Sequence, residues 1–236
     1  MKINKDNTGY IFLFTFILIG VVAVILSILA TSLAPQIAKN NETKKQMDLL
    51  ASIGVESTRA NAKDMYQKYI GSNPSYVINN KGEVLEGNAF DIDIKAQHRD
   101  KNISEDEKKF PLFIAKKDGQ TLYIVPVIGK GLWGPIWGYL SLKDDKRTIS
   151  GVSYGHQGET PGLGAEISQK FFTDRYVSEV VADESLNFTP IMVVKDGSGN
   201  APSKVDGITG GTITSKGVEE MVNRTMQIYL NYLKTI

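Results

Sequence analysis

The strongest pattern along the chain is an apolar run near its start. Between Asp6 and Lys39 there is no charged residue, and YIFLFTFILIGVVAVILSILATSLA, Tyr10 to Ala34, has few polar interruptions. A helix of that length spans roughly 37 Å, enough to cross a hydrocarbon core of about 30 Å with some tilt. Ala30, Ser32 and Ala34 offer the small residues of a cleavage site. The apolar stretch is nevertheless far longer than the roughly 7 to 15 residues of a signal peptide. The expectation is therefore a transmembrane anchor over residues 1–36. Lys2 and Lys5 precede it while Lys39, Lys44 and Lys45 follow it, so charge counting assigns neither side.

Past Pro35 the pattern becomes helical. NETKKQMDLLASIGV carries Met47, Leu50 and Ile53 at helical spacing, and TRANAKDMYQKYI continues a helical pair. These predict a helical stalk over 37–74. From Ser75 short apolar runs alternate with turn signals. SYVINNKGEVL predicts a hairpin around Asn80 to Gly82, and FIAKKDGQTLYIVPV a second around Asp118-Gly119. The polar stretch from Phe90 to Lys109 reads as a surface loop. GPIWGYLSLKDDKRTISGVSYGH resumes the strands with a turn at Asp144-Asp145. GAEISQKFFTDRYV predicts a helix with Ile167, Phe171 and Phe172 inward, and FTPIMVV a final strand before the turn KDGSGN. The last helix starts near Ser215, with Val218, Met221, Val222, Met226, Tyr229 and Leu233 along one face for packing on the sheet. The reading is α+β: one N-terminal membrane helix, then a mixed or antiparallel sheet with packed helices in a domain spanning 75–236.

Composition narrows the chemistry. A formal net charge of +1 and no basic stripe exclude nucleic acid as an expected partner. With no cysteine the chain has no disulfide, thiolate metal site or thiol nucleophile, so redox chemistry requires a bound cofactor. His98 and His156 lie outside any metal-ligand pattern and read as ordinary histidines.

Two glycine-rich stretches remain. VDGITGGTITSKG, Val205 to Gly217, runs into the last helix. Helix starts carry open N–H groups and the positive end of a dipole, which favour a phosphate. No P-loop or dinucleotide fingerprint is present, and taken alone the stretch is a turn with Thr214 or Ser215 as N-cap. The second stretch is HQGETPGLGAEI, His156 to Ile167. Pro161-Gly162 suits the centre of a type II turn, and Gly164 allows close backbone approach. Such a turn, with Glu159, Thr160 and Leu163, can line a planar aromatic ligand.

DGITGGTIT at Asp206 to Thr214 resembles the flavinylation motif of the covalent-FMN domain family, and GHQGETPGLGAEI resembles that family's other signature. With GKGLWGPIWGYLSL at Gly129 to Leu142 and the single anchor, the chain is similar to the C-subunit family of Na+-translocating NADH:quinone oxidoreductases. The resemblance implies FMN joined through its phosphate to Thr212 by a flavin transferase. Asp206, Thr209, Gly210 and Gly211 lead up to Thr212, which closes the motif, with Gly211 replacing the usual alanine, and Thr214 is expected among the cofactor-binding residues. It also implies an isoalloxazine near Glu159, Thr160, Leu163 and Gly164. The implied role is a membrane-anchored electron relay from NADH toward ubiquinone, coupled to Na+ export. It involves partner membrane subunits and no acid–base residue of this chain. The soluble domain is expected on the periplasmic face of a bacterial inner membrane. Two alternatives stay open on sequence: the G-subunit family of ion-translocating ferredoxin:NAD oxidoreductases, and a membrane-anchored sensor module without cofactor.

Overall fold

The computed structural model describes residues 7–236, so Lys2, Lys5 and Asp6 lie outside the described residues. The chain divides between Lys44 and Lys45 into two units. Helix α1, Thr8–Ser52, runs unbroken through Pro35. Its apolar part in the first unit is long and apolar enough to cross a membrane and presents Phe12, Phe16 and Ile28 outward.

In the second unit, six antiparallel strands form one sheet in the order β2-β1-β3-β4-β5-β6. They are β1 (Ser75–Ile78), β2 (Val84–Leu85), β3 (Phe110–Lys117), β4 (Gln120–Lys130), β5 (Pro135–Leu142) and β6 (Ile149–His156). Asp118 and Gly119, both at positive φ, close the two-residue β3–β4 turn, the geometry that matches strand twist. The Asp145 carboxylate closes the β5–β6 turn by accepting from the Arg147 and Thr148 N–H groups.

Alternation along β4 feeds two cores. Tyr123, Val125 and Val127 point to one, Leu122 and Ile124 to the other. The first lies beneath helix α5 (Thr212–Leu233), whose stripe of Val218, Met221, Val222, Met226, Tyr229 and Leu233 is buried as its spacing predicts. Each such side chain contributes about 2 kcal/mol of transfer free energy. Gly129 and Gly217 let the helix approach β4. A Cβ on Gly217 would stand 2.3 Å from the Lys130 carbonyl oxygen, and one on Gly129 2.6 Å from Met221 Cβ.

The second core takes Leu49, Leu50, Ile53, Val55 and Ile70 from the segment read as stalk, packed with Phe113, Ala115 and Tyr139 of the sheet. Ser141 and Ser153 hydroxyls donate to the carbonyls of Ser52 and Asp48 at 2.6 and 2.8 Å. The short helix α2 (Ala62–Tyr66) completes this face.

Four local expectations change. The Phe90–Lys109 stretch is not all loop. Asp93 caps a short helix, α3 (Ile94–Arg99), by accepting from the N–H groups of Lys95 and Ala96, and 3-10 turns flank it. The GAEISQKFFTDRYV helix is broken into a 3-10 turn at Gly164–Ser168, α4 (Lys170–Thr173) and a second 3-10 turn at Asp174–Tyr176. The extended backbone at Gln169 resets the helical phase. Ile167, Phe172 and Tyr176 therefore point inward while Phe171 is 51% exposed. Only part of FTPIMVV is a strand, β7 (Met192–Val194), and it pairs in parallel with β8 (Lys204–Asp206) apart from the large sheet. Helix α5 begins at Thr212, three residues ahead of the expected start, with Gly211 as its N-cap.

Candidate functional site

The two glycine-rich stretches meet at the start of α5. In the first, Leu163 N–H donates to the Thr160 carbonyl at 3.1 Å and Gly162 has φ +75°, the type II turn expected around Pro161-Gly162. Gly210, also at φ +75°, opens the second turn. A Cβ on Gly210 would lie 2.6 Å from Leu163 Cδ2, and one on Gly211 3.1 Å from the Leu163 carbonyl carbon. The glycines at 210 and 211 thus admit Leu163, which remains 41% exposed beside them.

Beneath this contact lies Glu159, 4% exposed. Its carboxylate accepts the Thr214 hydroxyl at 2.5 Å and the Trp133 N–H at 2.8 Å. Burial alone would raise its pKa. The Thr214 hydroxyl and the N–H groups of Trp133, Leu132 and Gly134 outweigh that and hold the carboxyl below its ordinary range. Gly131 and Gly164 make room, since a Cβ on either would stand 2.6 or 2.5 Å from a Glu159 oxygen. One buried anion therefore joins three segments: the Gly131–Gly134 turn, the His156–Gly164 loop and the first turn of α5. The turn it holds carries Leu132 and Trp133, 47% and 70% exposed. Glu159, expected to line the ligand, commits its carboxylate to these internal donors.

The hydroxyls divide by role. Ser215 Oγ accepts from the Ile208 N–H at 3.0 Å and donates to the Gly211 carbonyl at 2.9 Å. Thr214 is 1% exposed and bonded to Glu159. Neither caps the helix, contrary to expectation, because both side chains turn inward to hold the loop. No side chain caps α5, and its first turn holds no acidic residue. Thr212 occupies the first helical position, half-buried; its hydroxyl has no hydrogen-bond partner among the described residues and is not a buried unpaired atom. That hydroxyl reaches solvent beside open helix N–H groups. Thr209 is exposed, and Thr160 is exposed at the tip of the facing loop.

Asp206 lies at the end of β8 and accepts the Gly199 N–H at 3.1 Å. Ser215 and Arg175 were not singled out in the sequence as holding this turn, yet both do. Arg175 Nη1 donates to the carbonyls of Asp206 and Gly207 at 2.6 and 3.3 Å. The sequence carried no local signal for these contacts, which join residues 31 and 32 positions apart. Among the described residues no cluster of three metal-ligating side chains occurs.

Comparison with known proteins places this geometry in a family. The model of the FMN-binding domain matches residues 131–227, which span the Trp133 turn, both glycine-rich loops and most of α5. The C-subunit of the Na(+)-translocating NADH-quinone reductase from Haemophilus ducreyi is 29% identical, over 92% of this chain and 89% of its own. Its counterpart from Vibrio vulnificus is 29% identical over 84% and 83%. Among solved structures, the C-subunit from Parabacteroides distasonis is 40% identical and superposes with a TM-score of 0.71, covering 84% of this chain and 93% of its own. Shared sequence along nearly the whole length, and a shared fold with a relative 40% identical, lead to one assignment: the chain belongs to the C-subunit family of Na(+)-translocating NADH-quinone reductases.

Proposed function

We propose that this chain is the membrane-anchored electron-relay subunit of a Na+-translocating NADH:quinone reductase, carrying FMN as a phosphoester on Thr212. The observation that carries the reading is the Thr212 hydroxyl. It reaches solvent on the first turn of an uncapped helix, inside the region matched by the FMN-binding domain. The residues fit a phosphate. Open N–H groups and the dipole of α5 favour negative charge there; the first turn carries no acidic residue of its own, and the carboxylate packed against it, Glu159, is taken up by the Thr214 hydroxyl and the Trp133 N–H.

Once bound, the flavin supplies reversible electron uptake and release, and the protein supplies position and electrostatics. Thr212 fixes the phosphate end, with Thr209, Gly210 and Gly211 forming the thin turn around it. Leu163 and Thr160 offer an exposed apolar and polar face for the ring, with Gly164 and Thr214 behind them. Glu159 holds these loops in register through its internal hydrogen bonds. No side chain of this chain is assigned as acid or base in the electron transfer.

Attachment needs an outside enzyme, since a threonine hydroxyl is a weak nucleophile unaided. A flavin transferase would deprotonate Thr212 and bring up an activated flavin diphosphate. The Thr212 Oγ–P bond forms as the diphosphate P–O bond breaks, and the other phosphate leaves with its nucleotide. Other subunits of the complex are the electron partners, and the soluble domain lies on the periplasmic face of a bacterial inner membrane.

Intact mass of the chain produced with a flavin transferase tests the reading. The mass of FMN should remain on the wild-type chain after acid denaturation, be absent from Thr212→Ala, and persist on Thr214→Ala. An unmodified wild-type mass under these conditions would sink the covalent reading.

A further inference from the structure

We infer that Arg175 is a positioning residue for flavin attachment at Thr212, an inference that rests on the covalent reading above. The turn bearing Thr212 hangs between two tethers. At its far end Ser215 Oγ holds the Ile208 N–H, and the Gly211 N–H closes on the Ile208 carbonyl at 2.9 Å. At its near end the chain leaves β8 through Asp206 and Gly207, whose carbonyls both face Arg175 Nη1. The Gly207 N–H is held by the Val194 carbonyl at 2.8 Å. Between the tethers Thr209 and Gly210 make no hydrogen bond among the described residues, and Gly210 sits at φ +75°. The path of the turn therefore depends on how firmly its ends are fixed.

Arg175 is built for that task. It belongs to the 3-10 turn Asp174–Tyr176, anchored by the fully buried Tyr176, which packs edge-on to Phe172 and Tyr154. Its guanidinium lies 5.5 Å from the centroid of the Phe171 ring, a cation–π contact that restrains the side chain. Arg175 forms no ion pair among the described residues. The acid nearest in the turn, Asp206, directs a carboxylate oxygen to the Gly199 N–H. The charge of Arg175 is thus spent on two carbonyl dipoles, and hydrogen bonds from a charged donor are the strong kind. Phe171, exposed against the helical pattern of its segment, has its explanation here as the backing for the guanidinium.

The experiment uses the full chain in detergent, a purified flavin transferase and a flavin dinucleotide as donor, with hydrogen exchange measured in parallel on the unmodified chain. Arg175→Ala should lower the kcat of attachment about tenfold with KM for the protein substrate little changed, the scale expected for loss of a charged hydrogen bond. Arg175→Lys, which keeps a cationic donor, should recover most of the rate. The amides of Ile208 and Gly211 should exchange about tenfold faster in Arg175→Ala, while those from Val218 onward in α5 stay protected. Wild-type attachment rates and unchanged exchange at Ile208 and Gly211 would overturn the inference. So would loss of protection throughout α5, which would mean a general packing role. If wild type takes up no flavin the covalent reading fails instead, and the exchange pattern still decides whether Arg175 fixes the turn.

Discussion

Glu159→Gln is the sharpest probe of the architecture, because it keeps size and shape while removing the negative charge and turning one acceptor oxygen into an NH2 donor. The carboxylate is an acceptor at both oxygens, matched to the Trp133 N–H, the Thr214 hydroxyl and the neighbouring N–H groups of Leu132 and Gly134. A glutamine oxygen can serve one side. Its NH2 must then face either Trp133 N–H, donor against donor, or Thr214, whose hydroxyl would have to reverse. Losing one hydrogen bond to a charged acceptor and leaving a buried donor unpaired costs about 3 kcal/mol, at roughly 1.5 to 3 for each effect with partial relaxation. For a domain of this size that corresponds to a fall in Tm of roughly 8 °C. Thermal unfolding of the full chain followed by circular dichroism at neutral pH measures it. The pH dependence gives a second check. The folded-state pKa of Glu159 is depressed below its ordinary 4.5, so its contribution is fully present above that value and is lost as pH falls through the folded pKa. The gap between wild type and Glu159→Gln should narrow below pH 4.5. A Glu159→Gln chain as stable as wild type at neutral pH, or a gap that widens in acid, would refute the pin.

Two further substitutions address the packing that brings the site together. Gly217→Ala places a Cβ 2.3 Å from the Lys130 carbonyl oxygen, so it should lift α5 from β4 and cost about 2 to 3 kcal/mol, the scale of overpacking, outweighing its gain in helix propensity; urea unfolding at neutral pH is the measurement. Tyr229→Phe removes a buried hydroxyl that donates to the Pro111 carbonyl at 2.7 Å; the loss should be about 1 kcal/mol and leave flavin attachment unchanged, read by the same unfolding curve and by intact mass.

How much of this was legible in the sequence follows the range of the interactions. Asp118-Gly119 announced its hairpin because the turn type is decided by the φ values of two adjacent residues. The α5 stripe was legible for a similar reason, since a helical period repeats locally. Phe171 was misread because the period was carried through Gln169, where an extended backbone breaks it. Thr214 or Ser215 reads as the cap in the sequence because either is a good cap residue at a helix start. Their actual partners, Glu159 and Ile208, are set by tertiary packing: Glu159 lies 55 positions away. The parallel pairing of β7 with β8 was hidden too, as each strand has only three residues and little pattern to read.

The uncapped start of α5 bears on which threonine can react. A Ser, Thr, Asp or Asn at the cap position stabilises a helix by about 1 kcal/mol, and three hydroxyl residues stand in the four positions after Gly211, yet the cap is Gly211 without a side-chain hydrogen bond. The cap stabilisation is forgone while Thr214 and Ser215 are turned to the interior, so the N–H groups at the helix start stay open beside the hydroxyl of Thr212. To react instead, Thr214 would have to leave a site where it is 1% exposed and give up its bond to the Glu159 carboxylate, which costs about 1.5 to 3 kcal/mol before any phosphate approaches. Thr212 bears no such cost. The same reasoning forbids rescue between neighbours: in a Thr212→Ala chain the flavin should not migrate two residues along the helix. A peptide from that variant carrying FMN on Thr214 would show that the inward bonds of this turn do not select the reactive hydroxyl.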